Sequence, residues 1–187
     1  MSLASGSRAP AAIRPAATAH DVELARALFV EYAKWLDVDL CFQGFDAELA
    51  SLPGAYSPPR GRLLIAGPPG EAFGCIALRP LAPSCGCGTG GDAQANARTG
   101  EVKRLYVQPG HRGEHWGHRL ASAVIAEAGT IGYLELKLDT LMRMAAARRL
   151  YADLGFRECA PYYANPLSDV VYMSLELASG GSAASAP

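Results

Sequence analysis

The segment at residues 101–124, EVKRLYVQPGHRGEHWGHRLASAV, restricts the fold more than any other part of the chain. It opens as a strand, EVKRLYVQ, stopped by Pro109 and Gly110. It closes as a helix in which Leu120, Ala121, Val124, Ile125 and Ala128 share one face. Gly110, Gly113 and Gly117 lie between, with Arg112 among them. A helix N-terminus leaves four backbone N–H groups without intrahelical partners and carries partial positive charge, so an anion is favoured there. Glycine lets the backbone approach such a ligand and take positive φ. The GK[ST] of a Walker loop and the G-x-G-x-x-G of a dinucleotide loop are both missing. The ligand this turn predicts is a pyrophosphate.

The flanking pattern supplies the rest of the architecture. A strand at 12–15 leads into HDVELARALFVEYAKWLDV, where Ala25, Leu28, Phe29, Tyr32, Ala33 and Leu36 repeat at helical spacing. A short helix is predicted at 47–51. RLLIAG and AFGCIALRPL, joined through Pro-Pro-Gly, read as a hairpin. LELKLDTL alternates, with Leu134, Leu136 and Leu138 on one side. MAAARRLYADLGF is a helix closed by Gly155, and FRECAPYY and VVYMSLEL are two final strands. The order is β-α-(α)-β-β-β-α-β-α-β-β. Hairpins make most of the sheet antiparallel, and one central β-α-β crossover is locally parallel and right-handed. The fold class is therefore α/β with a mixed, mostly antiparallel sheet and helices on both faces, unlike the repeated β-α units of a Rossmann fold.

A single domain is expected over 12–177. Residues 1–11 and 178–187 are Ser/Ala/Gly-rich and read as disordered tails, and 82–100, APSCGCGTGGDAQANARTG, as a flexible loop. The chain of 187 residues is 50% hydrophobic, enough to bury a core. A net charge of −1 argues against nucleic acid, whose binders cluster Lys and Arg. No apolar run reaches the ~20 residues of a membrane helix, and the first residues carry no apolar secretory core. A cytoplasmic protein without membrane contact is expected. Of the five cysteines, Cys41, Cys75 and Cys159 lie in apolar surroundings and read as core residues; Cys85 and Cys87 form a lone C-x-C. His111, His115 and His118 fall at a spacing a helix would gather, but glycines make this a loop with Glu114 the nearby carboxylate. They read as solvated side chains, and no metal is assigned.

VKRLYVQPGHRGEHWGHRLA, together with LKLDT and ARRLYADLGF, resembles the GNAT superfamily of acetyl-CoA-dependent N-acetyltransferases. That family's central pattern is R/Q-x-x-G-x-G/A at a strand-to-helix turn, and a later helix ends in tyrosine followed shortly by Gly-Phe. The resemblance spans 13–177 in both motif and element order. It departs at one point: with Arg112 first and Gly117 last, His115 stands where the middle glycine belongs. The N–H is retained, but a Cβ at positive φ costs on the order of 1 kcal/mol.

The resemblance implies acetyl-CoA as cosubstrate, with its pantetheine arm between splayed strands at 101–108 and 134–141. The cofactor-binding residues it implies are Leu105, Tyr106 and Val107 along the arm, and Arg112, Gly113, Glu114, His115, Trp116, Gly117 and His118 at the pyrophosphate. Trp116 is expected to pack under the loop. Glu101 is the implied base for the attacking amine, and Tyr151 the donor to the leaving thiolate. The amine pocket is expected from Phe42, Gln43, Phe45, Tyr162, Tyr163 and Asn165. The acceptor is an amine of a small molecule or peptide, and a homodimer is compatible with the pattern. The rival readings are a CoA-binding protein without transfer, a metal or redox module using the loop histidines or Cys85 and Cys87, and a regulatory or toxin–antitoxin partner.

Overall fold

The structure is a computed structural model that describes residues 9–38, 44–81 and 98–178. Strand β1 (Ala12–Pro15) is followed by helix α1 (Ala19–Leu36) and a short helix α2 (Phe45–Ser51). The hairpin β2 (Arg62–Gly67) and β3 (Gly74–Pro80) leads to β4 (Thr99–Val107), α3 (Trp116–Ile131), β5 (Glu135–Leu141), α4 (Ala145–Asp153), β6 (Arg157–Glu158) and β7 (Val170–Glu176). Together they form one seven-stranded sheet of order β1-β2-β3-β4-β5-β7-β6, antiparallel except where β4 meets β5. Among the described residues no helix is long and apolar enough to cross a membrane.

Alternation along the strands divides the core in two. On β2, Leu64 and Ala66 pack with Leu120, Ala121 and Val124 of α3; Leu63 and Ile65 pack with Ala25, Leu28 and Phe29 of α1. Helix α1 is started by a capping box of Thr18 and Asp21. Helix α3 stops at Gly132 and α4 just before Gly155, both at φ 93°, the left-handed conformation glycine adopts without a Cβ clash.

Two boundaries differ from the sequence expectation. The strand expected through Tyr163 pairs at Arg157 and Glu158 and ends with one further bond, Cys159 N–H to the Tyr172 carbonyl at 2.9 Å; Pro161 has no N–H to extend the ladder. The loop expected through Gly100 is shorter: Thr99 and Gly100 already pair with β5. Of the cysteines expected in the core, Cys75 is buried and Cys159 half-buried; Cys41, Cys85 and Cys87 lie outside the described residues.

Periodicity does not reveal what happens in the middle of β4. Cys75 faces Tyr106 and Ala77 faces Lys103, so Ile76 opposes two residues, Arg104 and Leu105. This is a β-bulge, and Arg104 takes a φ of 59°, a conformation such a bulge most readily gives to glycine. Arg104 is held there by Glu48 of α2, with Nη2 to Oε2 at 2.6 Å and Nε to Oε1 at 3.0 Å. Its guanidinium also lies over the Phe45 ring, 5.1 Å from the centroid. The bulge turns Tyr106 toward α1 and leaves Leu105 and Val107 against the α3 cluster.

Removing one member of a buried ion pair strands the other charge and costs about 3–5 kcal/mol. Arg104→Met is therefore expected to lower unfolding free energy by that order in a urea titration. Adding Glu48→Gln, which still accepts from Tyr56, is expected to recover most of the loss.

Candidate functional site

Strands β4 and β5 pair over three positions only: Thr99 with Glu135, Gly100 with Leu136, and Glu101 with Lys137. Beyond them β4 runs on to Val107, paired to β3 alone, and β5 runs on to Leu141, paired to β7. The β4 edge that faces this opening carries backbone polar groups with no ladder on that side, which a ligand chain with amides of its own can satisfy. The opening is a groove of about 510 Å³ between Trp35 and Tyr106 on one wall and Met144 to Ala147 on the other. Three alanines in a row, 145–147, keep that wall low. The groove shares Leu36, Leu105 and Met144 with a narrower pocket of about 60 Å³, which Lys103, Asp139 and Tyr151 line.

The glycine turn stands at the outer end of the groove. A 3₁₀ turn at Pro109–His111 precedes it, Gly113 has φ 84°, and His115 is the N-cap of α3 at φ 59° and ψ 13°. No side chain caps α3, so the N–H groups of its first turn are offered outward. Arg112 lies on the groove wall, its Nε donating to the Val107 carbonyl at 3.0 Å and its guanidinium 4.6 Å from the Trp35 ring centroid. Trp116 is buried, edge-on to Phe73 at 5.0 Å, with Arg119 over its ring at 3.7 Å. Its indole N–H donates to Glu114 at 3.0 Å. The histidines diverge: His111 stacks on Phe73 at 3.9 Å, His118 faces Ser122, and His115 is exposed. Among the described residues no group of His, Cys, Asp and Glu could hold a metal.

Glu101 sits where the two strands part. It is 3% exposed, and Oε2 accepts from Arg79 Nε at 2.8 Å while Oε1 accepts from the Tyr162 hydroxyl at 3.2 Å and lies 3.6 Å from Lys103 Nζ. Tyr151 lines the narrow pocket. Burial pushes its hydroxyl's ionisation far above the ordinary tyrosine value, with the Tyr32 and Asp139 charges adding to the effect.

On the α1–α2 side, Tyr162, Tyr163 and Tyr172 form a cluster with centroids 5.2–5.5 Å apart. Asn165 Nδ2 donates to the Tyr163 hydroxyl at 2.7 Å, and Tyr172 donates to the Tyr163 carbonyl at 3.1 Å. Phe45 is apart from them, buried beneath Arg104. Phe42 and Gln43 lie outside the described residues. Sequence reasoning passed over the charges beneath this cluster: Lys103, whose Nζ donates to Asp139 Oδ1 at 2.8 Å, with Arg79, Arg104 and Glu48 beside it. The available signal was weak: the positions of LKLDTL that alternate with its leucines, and charged residues inside a strand covered on both faces.

The acetyltransferase (GNAT) family model matches residues 26–156. An uncharacterised N-acetyltransferase of Schizosaccharomyces pombe is 39% identical over 159 residues, covering 84% of this chain and 89% of that protein. An acetyltransferase of the GNAT family from Staphylococcus aureus superposes with a TM-score of 0.69 at 18% identity, covering 90% of this chain and 100% of that one. A putative acetyltransferase of Salmonella typhimurium, solved with its cofactor acetyl-CoA, superposes with a TM-score of 0.62 at 21% identity, covering 92% and 96%. At these identities the two structures speak for the fold.

The positive φ of His115 carries a strain that glycine would not, on the order of 1 kcal/mol. His115→Gly is expected to raise the melting temperature by about 2–4 °C in a thermal scan, the shift that such an energy gives in a chain of this size. A fall would mean that the imidazole itself stabilises the turn.

Proposed function

The chain belongs to the acetyltransferase (GNAT) family, and from that premise we propose that it moves an acetyl group from acetyl-CoA to an amine of a small molecule or peptide by direct attack. The observation that carries this is the parting of β4 from β5 beside an uncapped helix N-terminus, a groove with Arg112 on its wall. Acetyl-CoA supplies the activated thioester. The first-turn N–H groups of α3, with Arg112, suit its pyrophosphate. At Gly113 nothing lies within 4 Å of where a Cβ would stand, so the backbone is open to a ligand. Leu105, Tyr106 and Val107 offer their edge to the pantetheine amides.

Tyr151 serves the leaving sulfur. A thiol has a pKa of about 8.5 and a tyrosine about 10, so proton transfer is uphill even before burial raises Tyr151 further. The hydroxyl therefore keeps its proton and stabilises the thiolate as a hydrogen-bond donor. The tyrosines 162 and 163 with Asn165 face the acceptor. Glu101, with both oxygens engaged, fixes Arg79 and Lys103 in this reading.

Two measurements test it. Acetyl-CoA at 100 times its Kd is expected to stabilise the native protein by about 2.7 kcal/mol, read as a raised melting temperature. Thiol release on adding a panel of amines reports transfer. Tyr151→Phe is expected to lower turnover while leaving acetyl-CoA affinity nearly intact; a loss under twofold removes Tyr151 from the reaction. Binding without thiol release from any amine would leave a CoA-binding protein in place of an enzyme.

A further inference from the structure

We propose that Arg112 closes the groove to thioesters that lack a pyrophosphate: at rest it holds the Val107 carbonyl, and a pyrophosphate draws it away. The inference rests on the acetyl-transfer reading and adds to it how the groove selects its acetyl donor. Arg112 has two partners in turn, the edge of β4 and then the cofactor.

Alternation along β4 aims the Val107 carbonyl into the groove. The neighbouring Gln108 N–H bonds the Phe73 carbonyl on the β3 side at 2.8 Å, so the polar groups of Val107 face the other way, toward the gap beside β5. A pantetheine arm lying in that gap has amide N–H groups for this carbonyl. In the free protein the carbonyl is taken, with Arg112 Nε donating to it at 3.0 Å. A carbonyl has two lone pairs, but Arg112 reaches this one through the groove. Its guanidinium lies 4.6 Å from the Trp35 ring centroid and 5.8 Å from that of Tyr106, against the groove wall. The arm and the arginine therefore compete for space as well as for the oxygen.

The resting contacts are few and easily broken. Two arginines line the groove. Arg143 is tied down by Asp169 at 3.1 Å and by the Leu36 carbonyl at 2.8 Å. Arg112 has no carboxylate partner among the described residues, and the Trp35 ring beneath it is 45% exposed. A pyrophosphate offers this cation full negative charge and a two-pronged acceptor, where the carbonyl offers a single neutral oxygen. The swing needs no change of backbone: Arg112 is extended, at φ −73° and ψ 152°, and its own N–H stays on the Pro109 carbonyl at 3.3 Å. With the guanidinium on the pyrophosphate at the start of α3, the Val107 carbonyl is released to the arm. A thioester on bare pantetheine has no group that moves Arg112, and it meets a closed groove.

S-acetylpantetheine, which has the arm and the thioester but no pyrophosphate, separates the two roles. Arg112→Ala is expected to weaken acetyl-CoA binding in calorimetry, because the pyrophosphate loses its cation. The same variant is expected to bind S-acetylpantetheine about 3–30-fold more tightly than wild type in an NMR titration, the worth of one hydrogen bond and one exposed cation–π contact. In the wild-type protein, inorganic pyrophosphate should strengthen S-acetylpantetheine binding by a similar factor, and in Arg112→Ala it should not. A residue that only binds pyrophosphate would leave S-acetylpantetheine affinity unchanged in the variant, and one that only supports the turn would weaken both ligands. Either result overturns the proposal, as does pyrophosphate that gives no help to S-acetylpantetheine in the wild type. Wild-type protein that does not bind acetyl-CoA would fail the parent reading, a result distinct from one that binds it while Arg112→Ala leaves S-acetylpantetheine affinity where it was.

Discussion

The Lys103–Asp139 ion pair spans the place where the sheet comes apart, and the geometry of the groove depends on it. Backbone pairing between β4 and β5 has ended two residues earlier on each strand. A gap of this kind leaves polar backbone in the interior, which is costly unless something fills or braces it. Side chains supply the brace: Lys103 joins β4 to β5, Glu101 joins Lys103 to Arg79 of β3, and Arg104 joins β4 to α2 through Glu48. Three cations and three carboxylates are thereby paired within one layer. Buried pairs of this sort add little net stability against apolar residues of similar volume. Their effect here is on shape, since apolar side chains would be free to close the gap that the charges hold open.

The β-bulge belongs to the same device. An uninterrupted β4 would keep one alternation throughout, and Tyr106 would share its side with Val102. With two residues opposite Ile76 the phase shifts, so Tyr106 joins Tyr32 and Trp35 on the α1 side, at ring separations of 6.0 and 6.2 Å. Trp35 and Tyr106 build one wall of the groove, with Arg112 against both, and Tyr32 backs them at the narrow pocket. The local strain at Arg104 is offset by the Glu48 pair and the Phe45 ring, which explains why so long a side chain stands at a position glycine would take more easily.

What the sequence revealed and what it hid divide along the range of the interactions. Helix faces and strand alternation are local, and 19–36, 62–80, 116–131 and 170–176 were legible from periodicity. The truncation of β6 was also written locally, in Pro161, but was outweighed by the run of aromatic residues around it. The bulge had no local mark, because VKRLY alternates acceptably as a plain strand. The ion network was hidden for a different reason: Glu48, Arg79, Lys103, Arg104 and Asp139 lie on four separate elements, and each alone looks like a solvated residue. Tyr162, Tyr163 and Asn165 stand close in sequence and so suggested one cluster, whereas Asp139, which bonds Tyr163, comes from a distant strand.

The turn before α3 shows how a loop keeps a glycine-like course with larger residues in it. Glycine reaches positive φ through the absence of a Cβ, and Gly113 does so. At His115 the backbone is placed by its neighbour Trp116. That ring is locked in the core against Phe73, beneath Arg119 and with its N–H on Glu114. His111, stacked on Phe73, fixes the segment that enters the turn. With both ends tied to one phenylalanine, the residues between have little freedom, and His115 takes the left-handed conformation its neighbours impose. Its side chain points out of the fold and obstructs nothing inside it. The turn has exchanged conformational freedom for aromatic packing, and the N–H groups that open α3 remain uncapped at the mouth of the groove.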